Sequence, residues 1–340
     1  MFVLNSAISI GDFHFSGVHE VTIKRSIHDL METAEIKIPA MAAISKNGNK
    51  TPERQITSNM FREGDQVVIK LGYNDAIETE FSGYLKSRKL TTPLVLECEG
   101  QSWLLKTKRV NSAKTNGRVN TLLAEALSNQ YTEISVDCNI AIDIVSANAN
   151  PVSVQDAING ILHATDNNLC CFFRRDGSIW CGTLYSDIAS GQRIGGTREV
   201  KYRIGYNTLK ENKLTIHNRE AQPATIIYTR KAPSGSIISG MATGKGNEQK
   251  LMKVLNQVLK RDGLEMLAKE RMYKNTYQGY EGSFVSLLQP FVWPGDLANI
   301  ENTEHPELDG LYLVESTEVL FGTKGARRTI EIGPRLGFDK

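Results

Sequence analysis

Three observations predict a mainly β protein in which two related β-barrel domains flank a small α+β domain. Short runs that alternate apolar and polar residues fill the chain up to about residue 110 and again after about residue 200, and this alternation is typical of half-buried strands. Between the two regions, the apolar residues follow helical spacing. A Gly-Asp dipeptide launches a strand-like run in each β region, in "FREGDQVVIKLGYN" and in "VWPGDLANIENTEH".

The size and composition are those of a globular protein with several domains. The chain has 340 residues, of which 40% are hydrophobic and 23% are charged, which is enough for two or three cores. Its 40 basic and 38 acidic residues leave a net charge of +2, whereas binding to phosphates needs an excess of positive charge. We therefore expect no specific nucleic-acid binding.

The sequence predicts synthesis in a cytoplasm and no membrane insertion. The N-terminal residues lack the basic segment and the continuous apolar core of a secretory signal, and no run of 18 apolar residues occurs, so we expect no spanning helix. The five cysteines include no C-x-x-C pair. We therefore expect packed thiols in a reducing compartment and no disulfide framework.

The first predicted domain, residues 1–110, is rich in strands. In "DQVVIKLGY", Val67, Ile69 and Leu71 share one face, because side chains alternate between the two faces of a strand. Comparable runs are "HEVTIKRSI", "AEIKIPA" and "LVLECEG". The pattern indicates a barrel or a sandwich.

The second predicted domain, residues 111–198, is a compact α+β unit inserted into the β protein. The apolar residues of "NGRVNTLLAEALSNQ" have the spacing of an amphipathic helix. A second helix begins at "SVQDAINGILHA", where Ser153 and Asp156 resemble a capping box. Two β-prone runs follow, and the Asp176-Gly177 dipeptide between them predicts a tight hairpin turn.

The third predicted domain, residues 199–340, is the second β-barrel domain. Strands open it, and a flexible stretch is expected in "APSGSIISGMATGKGNE". A helix is predicted near residues 247–272, because Leu251, Val254 and Leu255 begin a helical spacing. The end is again β, and "GTKG" predicts a hairpin connection between the last two strands.

The two β regions carry the same series of signals. A Gly-Asp turn launches a strand, a loop of variable length follows, a glycine close to an aromatic residue opens the next strand, and an alternating strand ends the series. The first series runs from Gly64-Asp65 to "LVLECEG" and the second from Gly295-Asp296 to "RTIEIG". The shared order predicts a duplicated β-barrel whose second copy has diverged.

We predict no catalytic residue, no cofactor and no metal ligand. The glycine-rich "GMATGKGNEQK" lacks the spacing of a phosphate-binding loop, and Gly246 stands where that loop has a hydroxyl. The six histidines are scattered without ligand spacing, and no G-x-S-x-G elbow occurs. Cys170 and Cys171 lie in a β-run, where burial suppresses thiolate formation.

Charged side chains have structural interpretations. Glu97 and Glu99 share one face of a strand by their spacing, so they are the carboxylate pair to consider for the acid–base chemistry of a hydrolase. Such a pair is most often a solvated edge. We interpret the basic clusters as residues that keep the protein soluble and protect strand edges from pairing with other chains. The alternative interpretation is that they form a charged ring-shaped contact or line a pore. The clusters are at residues 86–89, 106–109, 174–175 and 326–328.

The order of these features resembles the baseplate hub proteins of contractile tails, which include the late control protein D, the Mu-like tail proteins and the N-terminal hub part of the VgrG spike of type VI secretion. The likeness rests on the opening strand pair, the two Gly-Asp series and the α+β insertion between them. The matching stretches are "VTIKRSIHDLMETAEIKIPA", "FREGDQVVIKLGY" with "FSGYLKS", and "VWPGDLANIE" with "LDGLYLVESTEVLFGTKGARRTIEIG".

The resemblance implies a structural protein without enzymatic activity. In that family, two barrels per subunit build a ring, so the resemblance implies a homotrimer with six similar barrels that joins a sixfold tail tube to a threefold spike. The implied partners are the tail tube protein, the spike protein and other baseplate proteins. The implied location is the baseplate of a virion tail or of an injection machine, after synthesis in a bacterial cytoplasm.

Two alternatives belong to other functional classes. One is a virion-associated cell-wall hydrolase that acts during penetration. The other is a carbohydrate- or receptor-binding β module, in which Trp103, Trp180 and Trp293 would stack on sugars. The neighbours of these tryptophans in the sequence favour positions in the core instead.

Overall fold

The computed structural model confirms the β-rich fold class. It describes residues 3–46, 53–74, 76–107, 109–110, 117–118, 134, 136–137, 143–144, 152–165, 168–186, 197–210, 212–232, 234–255 and 259–336. Strands dominate these residues. Of the stretch "NGRVNTLLAEALSNQ", over which the first helix of the middle domain is predicted, the structure describes only Gly117 and Arg118. The apolar residues that predict the helix lie outside the described residues, and the domain boundaries near residues 110 and 198 stay predictions.

The elements are numbered in chain order. The strands are β1 (Leu4–Ile10), β2 (Phe13–Phe15), β3 (Glu20–Ser26), β4 (Asp29–Ile38), β5 (Met41–Lys46), β6 (Glu53–Ile56), β7 (Gln66–Tyr73), β8 (Ala76–Lys89), β9 (Leu94–Glu99), β10 (Arg109–Val110), β11 (Gly117–Arg118), β12 (Val136–Asp137), β13 (Asp143–Ile144), β14 (Val152–Ser153), β15 (Cys170–Phe173), β16 (Ile179–Gly182), β17 (Glu199–Arg203), β18 (Lys213–His217), β19 (Pro223–Lys231), β20 (Ile237–Thr243), β21 (Asn247–Val254), β22 (Gly279–Ser286), β23 (Leu297–Glu301), β24 (Gly310–Gly322) and β25 (Gly325–Arg335). The helices are α1 (Ser102–Thr107), α2 (Val154–Ala164) and α3 (Arg261–Asn275).

One large sheet contains two six-strand units. The first β unit consists of β1, β3, β4, β7, β8 and β9, and the second β unit consists of β17, β18, β22, β23, β24 and β25. The units are joined because β3 pairs antiparallel with the C-terminal half of β24, from Ser316 opposite Ser26 to Gly322 opposite Glu20. Strands from the two ends of the chain therefore form one continuous sheet.

Each β unit surrounds a core of its own, formed mainly by the inward side chains of its strands. In β7, Val67, Ile69 and Leu71 are at most 1% exposed, as the alternation predicts, and fully burying such a side chain contributes about 1.5–3 kcal/mol. The core of the second unit includes Tyr202 of β17 and Phe284 of β22, whose ring centroids lie 4.9 Å apart. Period-two alternation thus fixes which face of each strand points inward.

The second helix and the hairpin of the middle domain are confirmed. The backbone N–H of Asp156 donates to the Ser153 hydroxyl oxygen at 3.1 Å, and that hydroxyl donates to the Asp156 carboxylate at 2.7 Å. The two residues therefore cap the first turn of α2. β15 and β16 pair antiparallel around the predicted Asp176-Gly177 turn.

The helix predicted near residues 247–272 is wrong in its first part. Residues 247–254 form β21, which pairs in parallel with β19, and the helix α3 begins at Arg261. The preceding stretch, expected to be flexible, contains β20, which pairs with the other edge of β19. Pairing on β19 supplies backbone partners that local propensity does not reveal, so tertiary context decides the structure here.

Helix α3 ties this part of the chain to α2, β15 and β16. It packs on β19 and β20, in a core that also contains residues of α2, β15 and β16. Its Glu270 carboxylate accepts hydrogen bonds from the backbone N–H groups of Leu184, Tyr185 and Ser186 at 2.8, 3.0 and 2.9 Å. Burial raises the pKa of Glu270.

Candidate functional site: the repeated β units and their junction

The two Gly-Asp turns have the same backbone geometry. Gly64 and Gly295 have φ angles of +87° and +93°, in the left-handed region that favours glycine. The N–H of Gly64 donates to the carbonyl of Leu85 in β8, and the N–H of Gly295 donates to the carbonyl of Val314 in β24, both at 2.8 Å. Each turn is therefore fixed against the second strand of its unit in the same way.

The aspartates of the two turns also have equivalent contacts. The Asp65 carboxylate accepts the N–H of Arg62 at 2.7 Å, and the Asp296 carboxylate accepts the N–H of Trp293 at 2.9 Å. Each aspartate carbonyl accepts the N–H of the facing strand residue, at 2.8 and 2.9 Å. The sequence repeat thus corresponds to a repeated hydrogen-bond network.

A side-chain pair further along the strands is repeated as well. The pairing of β8 with β9 and of β24 with β25 shifts register just after the strand residue that faces the turn. Beyond the shift, the Ser87 hydroxyl donates to Glu97 at 2.5 Å and the Ser316 hydroxyl donates to Glu331 at 2.6 Å. Both units therefore share the irregularity and the polar pair that follows it.

The likeness extends to all six strands. Counted in chain order within each unit, the strands lie side by side in the order second, third, sixth, fifth, fourth and first. The two units differ at the last position, since β1 runs antiparallel to β7 whereas β17 runs parallel to β23. The segments around residues 60–100 and 290–335 therefore share one topology.

Buried charges lie where the two units meet. The junction cluster consists of Arg25, Glu32, Glu80 and Arg328. The Arg328 guanidinium donates to the Glu80 carboxylate at 2.6 Å, and both side chains are at most 1% exposed. Arg25 contacts both Glu32 and Glu80. Because Arg328 belongs to the second unit and the others belong to the first, the cluster holds the units together.

The second Gly-Asp turn contributes an aromatic ring to this junction. The Arg25 guanidinium lies 3.9 Å from the centroid of the Trp293 ring, which is within range of a cation–π interaction. The indole N–H of Trp293 donates to the carbonyl of Phe173 at 3.1 Å. This tryptophan therefore links both β units to strand β15.

The junction cluster was missed by the sequence analysis, although a signal for it exists. In "ARRTIEIG", Arg328 has the same phase as the inward-facing Ala326, Ile330 and Ile332. A charged residue in the inward phase of an alternating strand needs a buried partner. The interpretation of residues 326–328 as a solubility cluster is therefore wrong for Arg328.

The carboxylate pair considered for hydrolysis has structural partners. Glu97 is bonded by Ser87 and Lys89. Glu99 is fully buried, where it accepts from Ser102 at 2.9 Å and contacts Lys106. The expectation of a solvated edge is wrong for Glu99, because α1 folds over this end of β9.

The cysteines and histidines form no metal centre in the part of the chain that the structure describes. Cys98, Cys170, Cys171 and Cys181 are buried, as expected, whereas Cys138 lies outside the described residues. Burial raises the pKa values of Cys98 and Cys170. Buried thiols with raised pKa values are poor nucleophiles.

The glycine-rich stretch at residues 240–250 lies in β20, in β21 and in their connection, and not at the start of a helix as a phosphate-binding loop would. Gly240 packs against the first turns of α3, since an added Cβ would lie 2.3 Å from the backbone nitrogen of Glu265. The absence of a side chain therefore serves close packing of a strand on a helix.

The tryptophans proposed for sugar stacking are engaged within the protein. Trp180 is 4% exposed, and Trp293 lies beneath Arg25 at the junction. Trp103 is half-buried on α1. These positions agree with core anchors and do not favour a carbohydrate-binding module.

Other basic residues pair with acids or remain exposed. Arg174 contacts Asp137 at 3.3 Å and Arg175 contacts Glu78 at 3.0 Å. In the cluster at residues 86–89, the side chain of Lys86 is 46% exposed.

None of the helices that the structure describes is long and apolar enough to cross a membrane.

Sequence comparisons find no matching family model and no matching curated protein. Solved structures do match. A tail protein from Neisseria meningitidis MC58 has a TM-score of 0.63 at 11% identity, over 97% of this chain and 96% of that one. The 43 kDa tail protein of prophage MuSo2 from Shewanella oneidensis has a TM-score of 0.61 at 12% identity, over 97% and 98%.

An Escherichia coli component of the type VI secretion system also shares the fold, with a TM-score of 0.52 at 10% identity over 96% of this chain and 74% of that one. These likenesses extend along almost the whole chain. The protein therefore has the fold of phage tail proteins and of a related secretion-system component, as the resemblance to contractile-tail hub proteins implies.

Proposed function

We propose that the protein is a structural hub in the baseplate of a contractile tail or of a related injection machine. The observation that carries the proposal is the presence in one chain of two six-strand units with the same strand order. Three such chains in a ring present six similar barrels and retain threefold symmetry, so the ring can join a sixfold tube to a threefold spike.

The ring explains why the repeat includes detail beyond the fold. A tube subunit that docks on either unit needs the same backbone geometry at each contact. The Gly-Asp turns and the Ser-Glu pairs have that property, with matching hydrogen bonds in the two units. The likeness to tail proteins over nearly the whole chain supports the same role.

A non-enzymatic role is part of the proposal. Glu97 and Glu99, the pair considered for acid–base chemistry, are held by neighbouring hydroxyl and ammonium groups. The described thiols are buried. These contacts favour a structural protein over a cell-wall hydrolase.

The proposed partners are a tail tube protein, a spike protein and further baseplate proteins. Such a protein would be made in a bacterial cytoplasm and would then be incorporated into the baseplate. The small net charge of +2 agrees with protein partners, because nucleic-acid binding by phosphate neutralisation needs an excess of basic residues.

The test is a mass measurement of the protein in complex with its partners. The full chain is purified alone and after co-expression with the tube and spike proteins of the same tail, and native mass spectrometry determines the stoichiometry. We expect a species with three copies of the 37.8 kDa chain that binds both partners. A monomer under every condition, with no binding to tube or spike, would contradict the proposal.

A further inference from the structure

Two strand edges have no neighbouring strand among the described residues. β18 pairs only with β22, and residues 87–89 of β8 pair only with β9. Exposed apolar side chains lie beside these edges: Leu90 is 77% exposed and Ile216 is 59% exposed. Unpaired edges with apolar neighbours are suited to pairing with another chain.

The edge of β8 has a paired counterpart within the chain. β8 occupies in the first β unit the place that β24 occupies in the second. Leu85 and Val314 both bond to the Gly-Asp turn of their unit, and the register shift follows directly after each of them. Leu90 lies five residues after Leu85, and Val319 lies five residues after Val314. Leu90 therefore corresponds to Val319.

The edge of β18 has a counterpart as well. Reading partner by partner across the sheet from Leu85 leads through β9 and β4 to Ile23 of β3. The same path from Val314 leads through β25 and β22 to Leu214 of β18. Ile23 and Leu214 therefore occupy equivalent positions, and β18 is the counterpart of β3.

Within the chain these counterparts pair with each other, since Val319 of β24 lies directly opposite Ile23 of β3. We propose that β18 of one copy pairs antiparallel with residues 87–91 of a second copy, with Leu214 opposite Leu90 and Ile216 opposite Arg88. This inference rests on the proposed ring. It names the surface, the strand direction and the register by which one copy continues the sheet of the next.

The packing of the two cores also supports a second copy of the chain as the partner of β18. Val319 and Phe321 belong to the second β unit, yet they are buried in the core of the first. The core of the second unit contains, among the described residues, no side chain from the first. Leu90 of a neighbouring copy would add to that core beside Leu214, as Val319 does beside Ile23.

The test uses disulfide formation in the full chain, assembled with its tube and spike proteins. The variant with L90C and L214C places cysteines at directly opposite positions, where Cα separations of about 4.5–5.5 Å permit a disulfide. Because every chain carries both cysteines, oxidation is expected to produce a covalent trimer on a non-reducing gel.

Two control variants define the register. L90C combined with T215C places the two thiols on opposite faces of the paired strands, so it is expected to give no covalent trimer. T22C combined with L320C lies at a directly opposite pair within the chain, next to the Ile23–Val319 pair. It is expected to form a disulfide within one chain, which confirms that the oxidation conditions are sufficient.

A second pair of variants tests assembly without oxidation. I216D places a charge at the proposed contact and is expected to abolish the trimer while the far-ultraviolet circular dichroism of the chain stays unchanged. I237D alters a side chain that is 75% exposed on β20, away from the proposed contact. It is expected to leave the trimer intact.

The outcomes separate this inference from the proposed function. A trimer that gives no L90C–L214C crosslink and tolerates I216D would overturn the pairing of β18 with β8, while the ring would stand. The absence of any trimer, with or without tube and spike, would overturn both. A covalent trimer that forms with L90C and L214C, but not with L90C and T215C, supports the inference.

Discussion

At the scale of single residues, the junction cluster decides how firmly the two β units are joined. Arg328 is fully buried, and it also donates to the carbonyl of Val292 at 3.2 Å. Removing one member of a buried pair is costly because the other member loses its closest partner in a place that water does not reach. The stability of the junction should therefore respond more to single substitutions than to paired ones.

We predict that R328A lowers the free energy of unfolding by about 3–5 kcal/mol, because it removes the closest ionic partner of the buried Glu80 carboxyl group. The double variant E80L with R328M removes both charges and should lose less. Urea denaturation followed by circular dichroism measures both. A loss below about 1 kcal/mol for R328A would contradict the role assigned to the pair.

The two turn aspartates should differ in their contribution to stability. Asp296 is 5% exposed and accepts the backbone N–H of Arg198 at 3.0 Å in addition to the bond within its turn. Asp65 is half-buried, and its carboxylate accepts the N–H of Arg62 within its own turn. We expect D296A to be more destabilising than D65A by about 1.5–3 kcal/mol, since hydrogen bonds to charged groups have that strength. Equal losses in thermal unfolding would contradict the prediction.

Glu315 gives the junction between β24 and the other domains a pH dependence. Burial alone would raise its pKa, but the hydrogen bond with His28 and the positive charge of Lys274 outweigh burial and lower the pKa below its ordinary value of 4.5. A carboxyl group with a lowered folded-state pKa stabilises the protein above its unfolded-state pKa, and this stability is lost as the pH falls through the folded-state value.

We therefore expect the difference in stability between the native protein and E315Q to be largest above about pH 5 and to shrink as the pH falls below about 4.5. Urea midpoints between pH 3 and pH 7 measure this difference. E35Q is a suitable control, because Glu35 lies on β4, which is separated from β24 by β3 in the same sheet, and its side chain is 39% exposed. A difference that stays constant or grows toward low pH would contradict the assignment.

At the scale of elements, the sequence predicts those features that depend on local patterns. Alternation predicts the inward face of β7, and the Ser153–Asp156 pair predicts the start of α2. The strand β21 is not predictable in this way, because residues 247–254 have helical spacing and form a strand only by pairing with β19. The junction cluster is likewise hidden, since its members lie as far apart as Arg25 and Arg328 in the chain.

Substitution of alanine for two glycines in different elements should change the stability of the protein in opposite directions. In β20, a Cβ at Gly240 would lie 2.3 Å from the nitrogen of Glu265, so G240A should lower stability by about 1–3 kcal/mol through overpacking. In α2, Gly160 has open space around its Cα, so G160A should raise stability by about 0.5–1 kcal/mol. Thermal unfolding of both variants checks the pair, and a stabilised G240A would contradict the packing of α3 on β20.

At the scale of the whole molecule, one pairing joins the repeated units and a second would repeat it between chains. β3 and β24 connect the two units inside the chain. The proposed interface between β18 and β8 would be the equivalent contact one step further around the proposed ring. A contact of this head-to-tail type either closes into a ring or extends without limit, depending on the rotation between successive units.

The most direct measurement of the central claim is a cryo-electron microscopy reconstruction of the protein assembled with its tube and spike proteins. We predict three chains whose six β units are related by successive rotations of roughly 60° around one axis, with β18 of each chain beside β8 of the next. A particle in which the two β units of a chain face different surroundings, with no sixfold arrangement, would contradict the account.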